Sequence, residues 1–134
     1  MEGGEKISIK YYKLNLEDVV EKATRILEKE NNVLIAIIYG SAVRRKIVRD
    51  LDILIYAPGI ALRDLLKLEA KLEREIGIPV DLALFDQVSP RLAYKALVRG
   101  IKILSRNNIL FNALTTLAIA QIQDTQVKRV GKLR

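Results

Sequence analysis

Apolar side chains recur three and four residues apart at Leu16, Val19, Val20, Ala23, Ile26 and Leu27, behind Asn15, a residue type that caps first turns. This period predicts an amphipathic helix that stops at Asn31-Asn32. From Val33 to Tyr39 the pattern changes to an unbroken, Ile-rich apolar run closed by Gly40, which suits a strand buried on both faces. Residues Leu51 to Tyr56 predict a second strand, ended by Pro58-Gly59. Leu62, Leu65, Leu66, Leu72 and Ile76 predict a helix with Gly77 as its C-terminal cap, and Pro79 blocks continuation. A strand over Pro79 to Phe85 follows. Ser89-Pro90 has the order of an N-cap and first helical residue, so a short helix runs to Gly100, before a last short strand over Ile101 to Leu104.

The two ends are patterned differently. Ile7 and Ile9, alternating with Ser8 and Lys10, allow an edge strand within residues 1–14. From Ile109 a helix is expected whose apolar residues leave little of its surface polar. Phe111, Ala118 and Ile122 form one stripe, and Leu110, Leu114 and Leu117 another. The expectation is that one stripe is buried on its own domain and the other is offered to a second chain. Beyond Val127, Lys128, Arg129, Lys132 and Arg134 have no acid beside them and Gly131 weakens a helix, so a solvated basic end is predicted.

The order helix, strand, strand, helix, strand, helix, strand makes an α+β (mixed α/β) domain: a small mixed β-sheet flanked by helices. Its core is placed at residues 1–104, and residues 105–134 form a C-terminal helix and basic tail belonging to that domain or to an interface. With 134 residues, half of them hydrophobic, the chain has the length of one domain with a full core. It has no Cys and no His, which excludes a thiol nucleophile, an imidazole base, a disulfide frame and an ordinary zinc site. Catalysis would rest on carboxylates, hydroxyls, Lys, Arg and backbone groups. A formal charge of +7 favours a phosphate-bearing ligand, an acidic partner or nucleic acid. The start of the chain resembles no signal peptide, and the uncharged stretch from Asn107 to Gln123 is short for a membrane span, so a cytoplasmic protein without a membrane segment is expected.

Candidate chemistry comes from carboxylates where strands disfavour them. Asp50 and Asp52, two apart, point to one face of an extended segment, and Asp52 leads into Ile53-Leu54-Ile55. Asp81 lies between Val80 and Leu82 in another predicted strand. If the two strands are neighbours, three carboxylates meet on one patch, a set of oxygen donors suited to Mg²⁺ when substrate phosphates supply further ligands. Taken singly, each Asp is explained as well by a turn cap, an Arg pair or a solvated strand edge. Gly40-Ser41, at the end of the apolar strand, adds small residues that let backbone N–H groups and a hydroxyl approach a phosphate.

Together, Ile38-Tyr39-Gly40-Ser41-Ala42-Val43-Arg44, Asp50-Leu51-Asp52-Ile53-Leu54 and Pro79-Val80-Asp81-Leu82 resemble the motifs of the minimal nucleotidyltransferases of the DNA polymerase β superfamily. The resemblance runs from about Leu16 to Leu104. Val43 departs from the family's usual Ala, Arg45 from its second Gly and Arg49 from its second Ser. The resemblance implies transfer of a nucleoside monophosphate, AMP from ATP, to an acceptor hydroxyl. It implies that Asp50, Asp52 and Asp81 are catalytic and hold two Mg²⁺ ions, and that Gly40, Ser41 and Arg44 bind the nucleotide. Arg44, Arg45 and Lys46 read equally well as a solvated basic face.

Stand-alone members of this size are often antitoxins encoded beside a HEPN-type ribonuclease, and the resemblance implies a Tyr of that toxin as acceptor. Antibiotic-modifying and RNA-directed relatives share the core motif. A homo-oligomer is the other partner expectation. The alternative function is a non-catalytic partner-binding module with a degenerate nucleotide loop. Nucleic-acid binding through the basic tail ranks last, because aromatic residues are few.

Overall fold

A computed structural model of the chain describes residues 10–132. Elements follow in the order β1 (Tyr12–Lys13), α1 (Leu16–Glu28), β2 (Ile35–Tyr39), a 3-10 turn (Gly40–Val43), β3 (Ile47–Val48) and β4 (Leu51–Tyr56). Then come α2 (Leu62–Ile76), β5 (Val80–Leu84), a second 3-10 turn (Phe85–Gln87), α3 (Pro90–Arg99), β6 (Ile101–Ser105) and α4 (Asn108–Lys132). Local chemistry sets the boundaries. The Asn15 side chain accepts from the Asp18 amide and the Ser89 hydroxyl from the Leu92 amide, while Gly77 closes α2 in the left-handed conformation.

The main sheet has the order β5-β4-β2-β6, with β2 antiparallel to both its neighbours and β4 parallel to β5. Both faces of its central strands are apolar because helices cover both. Ala36 and Ile38 of β2 join Leu51, Ile53 and Ile55 of β4 in a core under α1 and α2. Ile35, Ile37 and Leu54 point the other way, toward Ala93, Ala96 and Leu97 of α3 and Leu114 and Ala118 of α4. At the outer edge, β5 is shielded by α2: the Val80 amide donates to Glu73 Oε1 at 3.1 Å and the Leu82 amide to Glu69 Oε2 at 2.8 Å. Occupied donors keep that edge from templating another strand.

The expected edge strand over Ile7 and Ile9 falls outside the described residues; within residues 1–14, Tyr12–Lys13 pairs with Ile47–Val48 in a separate two-stranded ribbon. Two expectations need correcting. The basic end after Val127 is not a tail as far as Lys132, because α4 continues through Gly131; the helix, once nucleated, loses only about 1 kcal/mol at a glycine. The stripes of α4 also divide differently. Leu110, Phe111, Leu114 and Ala118 pack together on the core, whereas Ile109, Leu117, Ile119 and Val127 are exposed. Three- and four-residue spacing around Leu114 sets the buried side, which mixes members of both predicted stripes.

Arg106, between β6 and α4, has a structural role not visible in the sequence pattern. Its side chain donates to the carbonyls of Val33, Glu28 and Glu30 at 2.7, 2.8 and 3.1 Å, fastening the C-terminal end of α1 to the sheet. A guanidinium there satisfies orphan carbonyls and opposes the negative end of the helix dipole. Arg106→Ala should therefore cost about 2 kcal/mol in urea unfolding, with Arg106→Lys recovering only a fraction because an ammonium lacks the fork. Equal stability of wild type and Arg106→Ala would refute this fastening role.

Candidate functional site

The register of β4 against its neighbours decides how the strand carboxylates sit. Asp52 lies opposite Tyr39 on β2 and opposite Asp81 on β5, so Tyr39, Asp52 and Asp81 form a row across three adjacent strands. Alternation puts this row on the α3 side of the sheet, in line with Ile37 and Leu54. Asp50 shares the parity of Asp52 and lies just before β4 begins. Asp50 and Asp81 are exposed, while Asp52 is partly buried.

Burial, then the charges of Asp50 and Asp81, push the Asp52 carboxyl up to about 6 from its ordinary 3.8. Burial and the three nearby carboxylates likewise push the Tyr39 phenol up to about 12 from its ordinary 10. Asp52 and Tyr39 thus both feel the carboxylates gathered on this patch. The carboxylates do not close a cage by themselves: among the described residues no group of three such side chains is arranged to hold a metal ion unaided. No ion pair among the described residues engages them.

Gly40 explains how Asp52 can be half covered. Its φ is +77°, and a Cβ built there would collide with Asp52 Oδ2. Only a glycine both turns the chain and leaves room for the carboxylate. The 3-10 turn it opens carries Ser41, half-buried, and is tightened by the Arg44 and Arg45 amides donating to the Ser41 carbonyl at 3.1 and 2.9 Å. Amide groups opening a helical turn have no partner within it and are free for an anion.

The row borders an open cleft of about 570 Å³ lined by Tyr39, Gly40, Val43, Arg44 and Asp52 on the sheet side, and by Leu92, Lys95, Ala96, Arg99 and Gly100 on the α3 side. Of the predicted residues, Gly40, Arg44 and Asp52 line the cleft; Ser41 stands in the same turn, Asp81 one strand out and Asp50 two residues upstream. Sequence reasoning missed Tyr39, Lys95 and Arg99. The signal was present in part, because Arg91, Lys95 and Arg99 recur at four-residue spacing along α3 and share a helix face. What could not be read was which face of the sheet that helix would cover. The result is a cleft with a carboxylate wall opposite a cationic wall, suited to a ligand carrying both metal-bound and free phosphate oxygens.

Residues 21–109 match the family model for polymerase beta nucleotidyltransferases, which takes in β2, the Gly40 turn, β4 and β5. The chain belongs to the polymerase beta nucleotidyltransferase family. No curated protein matches it. Among solved structures, a toxin-antitoxin complex with AMP-PNP contains a chain 19% identical to this member, with a TM-score of 0.73, covering 90% of this chain and 96% of that one. A MntA-HepT toxin-antitoxin complex gives 17% identity and a TM-score of 0.69 over 86% and 93%. A tri-AMPylated Shewanella oneidensis HEPN toxin in complex with MNT antitoxin gives 18% and 0.67 over 86% and 95%. At these identities the likeness shows the fold. Among the described residues, no helix of this nucleotidyltransferase is long and apolar enough to cross a membrane.

Proposed function

We propose that this nucleotidyltransferase moves AMP from ATP to a tyrosine hydroxyl of a HEPN-type toxin and thereby acts as its antitoxin. The observation that carries the reading is the in-register pair of Asp52 and Asp81 beside the Gly40 turn, facing Lys95 and Arg99 across the cleft. Three fold neighbours, solved as toxin-antitoxin complexes, one with AMP-PNP and one with a tri-AMPylated HEPN toxin, support the choice of partner and nucleotide.

In this reading Asp50, Asp52 and Asp81 would hold Mg²⁺ together with the triphosphate. Their all-oxygen, mutually repelling character fits a hard cation, and an incomplete protein cage fits an ion that takes its remaining ligands from phosphate and water. When bound, Mg²⁺ supplies positive charge to the phosphate oxygens and to the oxygens entering and leaving phosphorus. The chain's own residues do the rest. Gly40 and Ser41 N–H groups and the Ser41 hydroxyl hold β- and γ-oxygens, and Arg44, Lys95 and Arg99 balance their charge. Asp81, at the solvent side of the row, receives the proton of the attacking hydroxyl. That hydroxyl oxygen bonds to the α-phosphorus as the bond to the β-phosphate bridge breaks, and pyrophosphate leaves with the electron pair.

Labelled ATP tests this directly. Purified protein, Mg²⁺ and the product of the adjacent reading frame should give a labelled partner from ATP carrying α-³²P, and none from ATP carrying γ-³²P. Absence of α-label on the partner, with partner activity still blocked by the protein, would instead establish the binding-module alternative. That second reading draws on Arg45 and Arg49, which replace family residues in the nucleotide loop.

A further inference from the structure

The β1–β3 ribbon gathers a set of cations of which the transfer reading uses Arg44 alone. Tyr12 pairs with Val48 and Lys13 with Ile47, and the Leu14 amide donates to the Lys46 carbonyl at 2.6 Å. This pairing brings Lys13 from the start of the chain against Arg44, Arg45 and Lys46 of the loop after the Gly40 turn, and together they line a groove of about 490 Å³. Lys10, just before β1, and Arg49, just after β3, extend the positive surface at one end of the antiparallel ribbon. Glu17 is the sole carboxylate among the groove's lining residues. The ion pairs of the described residues lie within α1 and α4, and none involves these six cations.

An aromatic ring lies immediately before β1. Tyr11 is 61% exposed between Lys10 and the ribbon, and Ile47 opposite Lys13 is 59% exposed. Cations gathered from β1 and from the loop before β3, with a solvent-facing ring beside them, match the phosphate track and stacking face that single-stranded nucleic acid requires. An acidic protein segment would satisfy the cations but leave the ring face without a counterpart.

We propose that the β1–β3 ribbon is a binding surface for single-stranded RNA. The strand's phosphates lie along Lys13, Arg45 and Lys46, and one base stacks on Tyr11. Val43 and Arg44 line both this groove and the transfer cleft, so an RNA held here runs to the edge of the cleft. Binding at the ribbon requires neither metal nor nucleotide and stands apart from the transfer reading.

Fluorescence anisotropy of a labelled 12-nucleotide single-stranded RNA, titrated with the full-length protein in EDTA and without nucleotide, tests the assignment. Between 50 and 200 mM KCl, log affinity should fall against log salt with a slope of about −2 to −3, from three or four neutralised phosphates at about 0.7 each. Lys13→Glu with Lys46→Glu should weaken binding at least about tenfold and flatten the slope by about 1.4. Tyr11→Ala should weaken binding severalfold with the slope unchanged, a signature of stacking that general charge loss does not produce. Lys128→Glu, on α4, should change nothing. RNA affinity unaltered by both ribbon variants would overturn the proposal. So would equal affinity for a poly-glutamate peptide, which would assign the ribbon to an acidic protein partner.

Discussion

Asp52→Asn is expected to reduce nucleotide transfer by at least about a thousandfold while making the metal-free protein more stable. In the proposed reading Asp52 is an anionic metal ligand, and its loss would remove several kcal/mol of stabilisation at the reacting phosphate, where each 1.36 kcal/mol is about tenfold in rate. The stability change has the opposite sign because the folded protein raises the Asp52 pKa to about 6 by burial and by repulsion from Asp50 and Asp81. Between pH 4 and pH 6 the folded state binds the proton that the unfolded state has released, so wild-type stability falls as pH rises through that window and remains lower above it. The amide variant lacks this loss. Thermal melts in EDTA should show Asp52→Asn above wild type at pH 7, with the gap closing below about pH 4. Wild-type transfer by Asp52→Asn would remove Asp52 from the chemistry, and identical melts at pH 7 would show the carboxylate to be solvated rather than held against its neighbours.

Gly40→Ala should damage both fold and activity, in contrast to Ser41→Ala beside it. At φ +77° an alanine costs about 1 to 2 kcal/mol in backbone conformation alone, and its Cβ would also displace the Asp52 carboxylate. The expected result is a melting temperature lower by several degrees and transfer reduced at least about a hundredfold, since a misplacement of about 1 Å at a reacting centre carries that penalty. Ser41→Ala should retain partial transfer at unchanged stability, because the turn's N–H groups still reach the phosphates. Full transfer by Gly40→Ala would show that Asp52 is not held in place by the turn.

Much of the fold is legible in local signals because each signal acts over a few residues. Gly77 ends α2 since only a residue free of Cβ adopts its left-handed turn cheaply, and Ser89-Pro90 opens α3 through a side-chain acceptor and a preset φ. These effects need no tertiary partner. The boundaries of β4 follow just as locally, from an apolar run between Asp50 and Pro58-Gly59. Where the signals fail, a larger energy outweighs them. Gly131 marks a helix end by propensity, yet α4, once nucleated, passes through it for about 1 kcal/mol. The stripe chosen for burial on α4 depends on long-range packing against α3.

The candidate site divides in the same way. Sequence determines that Gly40-Ser41, Asp50, Asp52 and Asp81 are out of place in an ordinary core strand, because charge and missing side-chain volume are properties of the residues themselves. It also determines that Asp50 and Asp52 share a face, since strand alternation is local. Tertiary structure alone decided that β4 and β5 are adjacent, that Asp52 and Asp81 fall in the same register, and that Tyr39 completes their row. It alone set Lys95 and Arg99 across the cleft and joined Lys13 to Arg45 and Lys46 in one basic groove. Pairing between distant strands and the face a helix covers are settled by which arrangement buries the most apolar surface over the whole domain, a sum that no window of sequence contains.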